Sequence, residues 1–178
     1  MSRALNLAGF IACVGMLAYA WYAQAVLGLE PCPLCIFQRV GIGVMGLLFV
    51  LAALHNPRRW GARIYGTLLV LAALATIGVA ARHVWIQSQP PGTVAACGAS
   101  LSYMLQVFPV GDVIRKVLTG SGECAKVTWR LLGLTMPAWV LIASVVLGAV
   151  ALYANFPGRR RGVWSRAQRR PRQRPSIG

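Results

Sequence analysis

Charged residues are scarce in this 178-residue sequence, and acidic residues are the scarcest of them. Only 12% of the residues are charged, whereas a soluble domain normally carries about 25%. Three of them are acidic, namely Glu30, Asp112 and Glu123. Hydrophobic residues make up 57% of the chain, and its mean hydropathy is +0.62. This composition argues against an ordinary soluble domain and indicates a lipid bilayer as the solvent.

Metal-ligand patterns are also sparse. The chain has two histidines and five cysteines. Cys32 and Cys35 form a C-x-x-C of the kind that can bind soft metals, but no histidine or further cysteine stands at zinc-finger spacing from them. The sequence therefore predicts no metal site, and metal transport is a minor alternative.

Four long apolar runs account for most of the hydrophobic content, at about residues 5–29, 36–54, 64–86 and 131–156. Each reaches or approaches the roughly 20 residues that a helix needs to cross a bilayer. Lipid offers no hydrogen bonds to an open backbone, so helices are predicted. The first run is followed by Glu30-Pro31-Cys32 and lacks a small-residue cleavage site, so we expect it to be retained. The fold class predicted is an all-α membrane protein with a four-transmembrane-helix bundle.

The basic residues predict how the bundle is oriented. Of the 18 lysines and arginines, twelve lie at Arg3, in the 58–63 connection and in the 159–178 tail. Basic residues near the ends of membrane spans favour the cytoplasmic side. Both termini are therefore predicted to be cytoplasmic, and the turn at 28–35 and the long loop at 87–130 to be periplasmic.

Two segments outside the spans carry separate predictions. The apolar stretch 101–110 is either a short helix on the membrane surface or loop residues packed on the bundle. The tail 159–178 is rich in arginine, proline and glutamine and is predicted to be disordered. Its charge fits topology and attraction to anionic lipid, so no nucleic-acid partner is predicted. The membrane domain is thus expected to span 1–158.

The Cys32-Pro33-Leu34-Cys35 motif lies where the second helix is predicted to begin. Two thiols at this spacing can close and reopen a small disulfide ring, and a helix N-terminus favours the thiolate of the second cysteine. Arg39 follows Cys35 by four residues and can share its helix face. A guanidinium there can stabilise a thiolate or hold a polar ring oxygen. The alternative is an arginine that reaches toward the headgroups.

Cys97 and Cys124 lie in the outer loop, 27 positions apart. Periplasmic thiols can pair, unlike cytosolic ones. Four outer cysteines allow three pairings, of which Cys32 with Cys35 and Cys97 with Cys124 is the simplest. The loop pair is either structural or a second dithiol that exchanges with the C-x-x-C. Cys13 lies inside the first run and is predicted to be an inert buried thiol.

His83 stands near the outer end of the third span, between Arg82 and Trp85. A histidine at that depth can donate a hydrogen bond to a quinone oxygen or relay a proton. It can equally be an interfacial residue beside an aromatic belt, and without other information this second reading is favoured.

In three places the sequence resembles the bacterial disulfide-bond formation family DsbB. The first is Pro31-Cys32-Pro33-Leu34-Cys35-Ile36-Phe37-Gln38-Arg39, and the second is the segment around His83. The third is Gly122-Glu123-Cys124-Ala125 followed by Trp129 and by Gly133-Leu134-Thr135-Met136-Pro137-Ala138-Trp139. The resemblance covers about residues 5–156. It departs at position 38, which is Gln here and acidic in some members.

The resemblance implies a protein-disulfide oxidoreductase of the bacterial inner membrane. Cys97, paired with Cys124, would accept attack by a reduced periplasmic DsbA-type protein. Electrons would pass to Cys32 and Cys35 and then to a quinone, either ubiquinone or menaquinone. Arg39, together with His83, would hold the quinone.

Two other functions remain as alternatives. Vitamin K epoxide reductase-type enzymes also combine four helices, a C-x-x-C and loop cysteines, but there the loop pair precedes the C-x-x-C, which lies on the last helix. A membrane scaffold with structural disulfides is the non-enzymatic alternative. Its cysteines would resist reduction, whereas catalytic cysteines would cycle between states.

Overall fold

A computed structural model of the chain describes residues 2–29, 31–57, 60–90, 106–109, 111–112, 122–125 and 129–156. Cys97, most of the apolar stretch 101–110 and the whole basic tail lie outside the described residues. The predictions made for them therefore stay predictions.

Helices dominate the described part of the chain. The long ones are α1 (Ser2–Ala25), α2 (Pro33–His55), α3 (Trp60–Gln87) and α5 (Met136–Asn155), and a single turn, α4 (Gly122–Ala125), precedes the last of them. Within the described residues, these four long helices are the ones long and apolar enough to cross a membrane. Many large apolar side chains point outward, among them Ile11, Trp21 and Leu54 at 61%, 73% and 70% exposure. The predicted four-helix membrane bundle is confirmed.

Successive helices pack side by side and close into a bundle. α1 packs on α2, α2 on α3 and α3 on α5, and α5 returns to α1. Short connections make α1 antiparallel to α2 and α2 antiparallel to α3. Hydrogen bonds between Asn6 and Asn155 place the end of α5 beside the start of α1. The end of α1, the start of α2, the end of α3 and the start of α5 therefore meet at one end, which we call the sulfur end.

Proline and left-handed residues set several helix ends. Pro33 and Pro137 each stand in the first turn of a helix, where the missing N–H costs nothing and the fixed φ favours helix. α2 ends at Asn56, whose φ of 41° is left-handed and whose N–H bonds the carbonyl of Ala52. α1 ends at Ala25, four residues before the end of the apolar run, and Gly28 with φ 65° turns the chain toward α2.

The beginning of the last apolar run is a hairpin, although the sequence predicts helix from about residue 131. β1 (Arg130–Leu131) pairs antiparallel with β2 (Leu134–Thr135). The turn between them uses Leu132 and Gly133, whose φ values of 53° and 80° are both positive, as in the tight turns that join two strands. The indole of Trp139 donates to the carbonyl of Leu131 at 3.1 Å and ties this hairpin to α5.

Candidate functional site

The C-x-x-C motif forms the first turn of α2. Cys32 is the residue that caps the helix, and its extended backbone (φ −66°, ψ 163°) lets Pro33 begin the helix. Cys35 then falls within the first turn, where the N–H groups have no partner inside the helix. Both cysteines are thiols, and the Cys32 thiol donates to the Cys35 sulfur over 3.2 Å. The structure thus describes the pair in its reduced state.

His83 reaches the same sulfur atoms from α3. Its Nε2 lies 3.7 Å from the Cys32 sulfur and 3.2 Å from the backbone oxygen of Cys124. The ring is 2% exposed, so it faces the interior of the bundle. His83 is buried between the C-x-x-C and the loop segment that carries Cys124.

Cys124 lies on α4 and is buried at the sulfur end. It forms a small apolar cluster with Leu34 and Ile86, and Cys32 and Phe108 pack against that cluster. Although Cys32 and Cys124 are 92 positions apart in the sequence, the fold brings them into one cluster. A cysteine of the C-x-x-C and a cysteine of the loop thus lie together, as an exchange between the two predicted pairs would require.

Arg39 lies one turn deeper in α2, and its guanidinium is bonded to α1. Its Nη1 donates to the side-chain oxygen of Gln24 at 2.6 Å, and its Nη2 donates to the carbonyl of Ala20 at 3.0 Å. A guanidinium has five N–H donors, and these two bonds use two of them. Arg39 is therefore held at the boundary of α1 and α2 with donors to spare for another acceptor.

Gln38 is a site residue that sequence reasoning missed. It is 3% exposed, and its amide nitrogen lies 3.0 Å from Nδ1 of His83. Position 38 is where the chain departs from the family pattern, and the described partner of its side chain is the histidine. The sequence feature that could have identified Gln38 is its polar amide inside an apolar span. Such an amide must find a hydrogen-bond partner within the protein.

The sulfur atoms of Cys32 and Cys35 and a ring nitrogen of His83 all lie within 4.8 Å of one another. Thiolates and an imidazole are ligands that suit soft metal ions, so these three could supply them. Spacing along the chain does not predict this cluster, because His83 is 48 positions from Cys35. The prediction that no metal is bound stays a prediction.

The fold and the site together define a class of protein. Four membrane-crossing helices carry a reactive dithiol at one end, and a buried loop cysteine is packed beside it. Such a site can exchange disulfides and pass electron pairs.

Comparison with known proteins identifies the family. Residues 2–154 match the family described as "Disulfide bond formation protein DsbB". Proteins named "Disulfide bond formation protein B" are similar over most of their length. That of Xanthomonas euvesicatoria pv. vesicatoria is 49% identical over 162 residues, covering 90% of this chain and 94% of the relative. Those of Nitrosococcus oceani and Xylella fastidiosa are 49% and 44% identical, covering 82% and 89% of this chain and 86% and 92% of theirs. The chain belongs to the DsbB family and is a multi-pass membrane disulfide oxidoreductase.

Proposed function

We propose that this protein reoxidises a DsbA-type periplasmic thioredoxin-fold protein and passes the electrons to a membrane quinone. This reaction would sustain disulfide formation in exported proteins. The observation that carries the proposal is the position of Cys124, buried in the cluster against which Cys32 of the C-x-x-C packs. A dithiol and a disulfide that meet in this way can exchange electrons without a further carrier.

The first exchange takes electrons from the DsbA-type protein. Its thiolate attacks the sulfur of Cys97, the Cys97–Cys124 bond breaks, and Cys124 leaves as a thiolate. The second thiol of the partner then resolves the mixed disulfide, so that the partner leaves oxidised and Cys97 is released reduced. One disulfide has been gained by the partner and one lost by the loop.

The second exchange moves the electron pair to the C-x-x-C. The Cys124 thiolate attacks the sulfur of Cys32, the Cys32–Cys35 bond breaks, and Cys35 leaves as a thiolate. Cys97 then attacks Cys124, which restores the loop disulfide and releases Cys32. The Cys32–Cys35 dithiol finally gives two electrons and two protons to the quinone, and its disulfide forms again.

Arg39 is the residue proposed to hold the quinone. It lies one helical turn from Cys35, and the bonds to Gln24 and Ala20 fix its position. The adjacent Val40 is 59% exposed on the outer surface of α2, where a lipid-soluble substrate can approach. His83 can take part in this role only if its Nε2 gives up the Cys124 carbonyl, because both ring nitrogens already have protein partners.

The energetics support a quinone as the acceptor. A DsbA-type disulfide has a reduction potential of about −120 mV and is itself a strong oxidant. Its reoxidation therefore requires an acceptor of still higher potential. A quinone that the respiratory chain keeps oxidised meets this requirement, and it is available at the depth of α2.

The proposal places the protein in the bacterial inner membrane with both termini in the cytoplasm. The four outer cysteines then face the periplasm, where thiols can pair. The membrane domain would comprise residues 1–158, followed by a basic tail at 159–178. The distribution of arginine and lysine supports this orientation.

The test is an assay with the purified full-length protein, a reduced DsbA-type protein and a soluble ubiquinone analogue. We expect the quinone absorbance to fall only when all three are present. Cys35→Ser and Cys97→Ser should each abolish turnover, because each removes one sulfur of a relay pair. The same assay with a menaquinone analogue distinguishes between the two quinone classes.

Cys13 offers a matched control for the loss of a thiol. It is buried in the centre of the bundle, away from the sulfur end. Cys13→Ala should therefore retain turnover close to that of the unmodified protein. Full activity of either serine variant would refute the assigned roles.

A further inference from the structure

His83 is held by bonds that determine where its proton lies. The Cys124 carbonyl oxygen can only accept, so His83 must carry its hydrogen on Nε2, 3.2 Å away. On the other side of the ring, the Gln38 amide nitrogen lies 3.0 Å from Nδ1 and can only donate. Nδ1 must therefore be an acceptor. With the Gln38 amide in this orientation, the two contacts together favour a ring with its hydrogen on Nε2, because a hydrogen on Nδ1 would face the amide donor.

We propose that Gln38 is a positioning residue that holds the ring of His83 in place by donating to Nδ1. The Nε2–H then binds the α4 turn of Cys124 beside the C-x-x-C pair. The ring links three parts of the chain, because Gln38 belongs to α2, His83 to α3 and Cys124 to the loop. The second half of this inference, that the link speeds exchange between the two cysteine pairs, rests on the function proposed above.

Burial makes the link specific. Gln38 and His83 are 3% and 2% exposed, so water cannot easily replace either bond. An amide or imidazole left unpaired in an apolar setting is costly. If Gln38 no longer donated to Nδ1, that nitrogen would lose its described partner, and the ring would be held through Nε2 alone. The contact between Nε2–H and the Cys124 carbonyl would then no longer be fixed from the other side of the ring.

The same ring also faces the C-x-x-C. Its Nε2 is 3.7 Å from the Cys32 sulfur, within reach of a weak shared hydrogen bond. The Nε2–H tautomer therefore directs one donor toward both the Cys124 backbone and the sulfur that Cys124 is proposed to attack. The opposite tautomer directs a lone pair at both. The orientation set by Gln38 thus acts on both partners of the exchange.

Nitrogen-15 NMR of histidine-labelled full-length protein in lipid nanodiscs tests the tautomer directly. The chain has two histidines, so the variant His55→Gln assigns both signals. Correlations between ring nitrogens and carbon-bound protons distinguish the Nε2–H ring, the Nδ1–H ring and the doubly protonated ring. We expect His83 to give the Nε2–H pattern, and either other pattern in the unmodified protein would overturn the proposal.

The variant Gln38→Met removes the donor and keeps the side chain nearly the same length. We expect the Nδ1 signal of His83 to shift, because this nitrogen no longer accepts a hydrogen bond, while the Cys124 carbonyl keeps the hydrogen on Nε2. The matched control is Gln24→Met, because Gln24 also has a described partner in a membrane span, but that partner is Arg39. This control should leave the His83 signals unchanged. An unaltered Nδ1 signal in Gln38→Met would overturn the proposal.

The exchange is measured without quinone, as the rate at which a reduced DsbA-type protein reduces the C-x-x-C. Gln38→Met should slow this step roughly tenfold, the effect of losing one buried hydrogen bond, while the KM for quinone in the full assay stays unchanged. A shifted Nδ1 signal with an unchanged exchange rate would overturn the functional half. If the unmodified protein exchanges nothing at all, the proposed function fails, and the NMR result still decides the tautomer.

Discussion

Asn6 and Asn155 exchange two hydrogen bonds between the first and last helices of the bundle. Each side-chain amide donates to the oxygen of the other, over 3.2 and 3.1 Å, and Asn155 also donates to the carbonyl of Ala151. Both residues are 2% exposed. The pair lies at the end of the bundle opposite the cysteines and joins helices that are far apart in the sequence.

Replacing one partner of this pair should destabilise the bundle. Asn155→Leu leaves the buried Asn6 amide unsatisfied, which costs about 1–3 kcal/mol. Thermal unfolding in a fixed detergent should therefore show a lower midpoint. The double variant Asn6→Leu/Asn155→Leu should recover part of the loss, because no amide is then left unpaired. Equal or greater loss in the double variant would contradict this account.

Close contact between α2 and α3 gives a second prediction. A Cβ added at Gly41 would overlap the hydroxyl of Thr76, whose own Cβ would be 3.2 Å away. Gly41→Ala should thus cost about 1–3 kcal/mol of stability through overpacking. Gly43 is the control, since a Cβ there meets nothing within 4 Å. Gly43→Ala should be neutral or slightly stabilising, and the same result at both positions would show that helix propensity outweighs packing.

Arg39→Ala should weaken the use of quinone without affecting disulfide exchange. Loss of the guanidinium removes the proposed contact with a ring oxygen, so the KM for quinone should rise roughly tenfold or more, as when a charged hydrogen bond is lost. The cysteines should remain oxidisable by a soluble thiol oxidant. Arg3→Gln, at the opposite end of α1, is the matched control. An unchanged KM in Arg39→Ala would remove this residue from the quinone site.

Thiol labelling in intact cells tests the orientation. In a background without native cysteines, Leu132→Cys places a thiol at the hairpin tip, where Leu132 is 84% exposed. A membrane-impermeant maleimide should label it, because the positive-inside rule places this end outside. His55→Cys, at the exposed end of α2, should be labelled only after the membrane is permeabilised. The reverse pattern would invert the topology and remove the periplasmic role.

Much of the bundle could be predicted from hydrophobic length alone. A span must hold about 20 apolar residues whatever its neighbours are, so α2 and α3 fall close to their predicted limits. The hairpin at 130–135 could not be found in this way. Its residues are as apolar as those that begin a membrane-spanning helix. The hairpin turn depends on the positive φ values at Leu132 and Gly133.

The candidate site, like the fold, could be predicted from the sequence only in part. The C-x-x-C and Arg39 were recognisable because their spacing along one helix carries the chemistry. The link between Gln38, His83 and Cys124 joins residues 41 and 45 positions apart, and only packing of α3 against α2 and α4 brings them together. The resemblance to the DsbB family could single out His83 as a site residue. It could not predict which residues His83 contacts, because those contacts form only in the folded chain.

The centre of the bundle determines how the sulfur end can be reached. Cys13, Met45, Phe49, Leu69 and Leu147 belong to one buried cluster contributed by all four long helices. Interiors packed in this way leave few voids as large as a water molecule. We therefore expect no chain of water molecules or proton-conducting side chains to run along the bundle axis from the sulfur end to the opposite end. The lipid-soluble electron acceptor proposed above would have to reach the sulfur end laterally, from the surrounding lipid. Turnover by itself would then move no net charge across the bilayer.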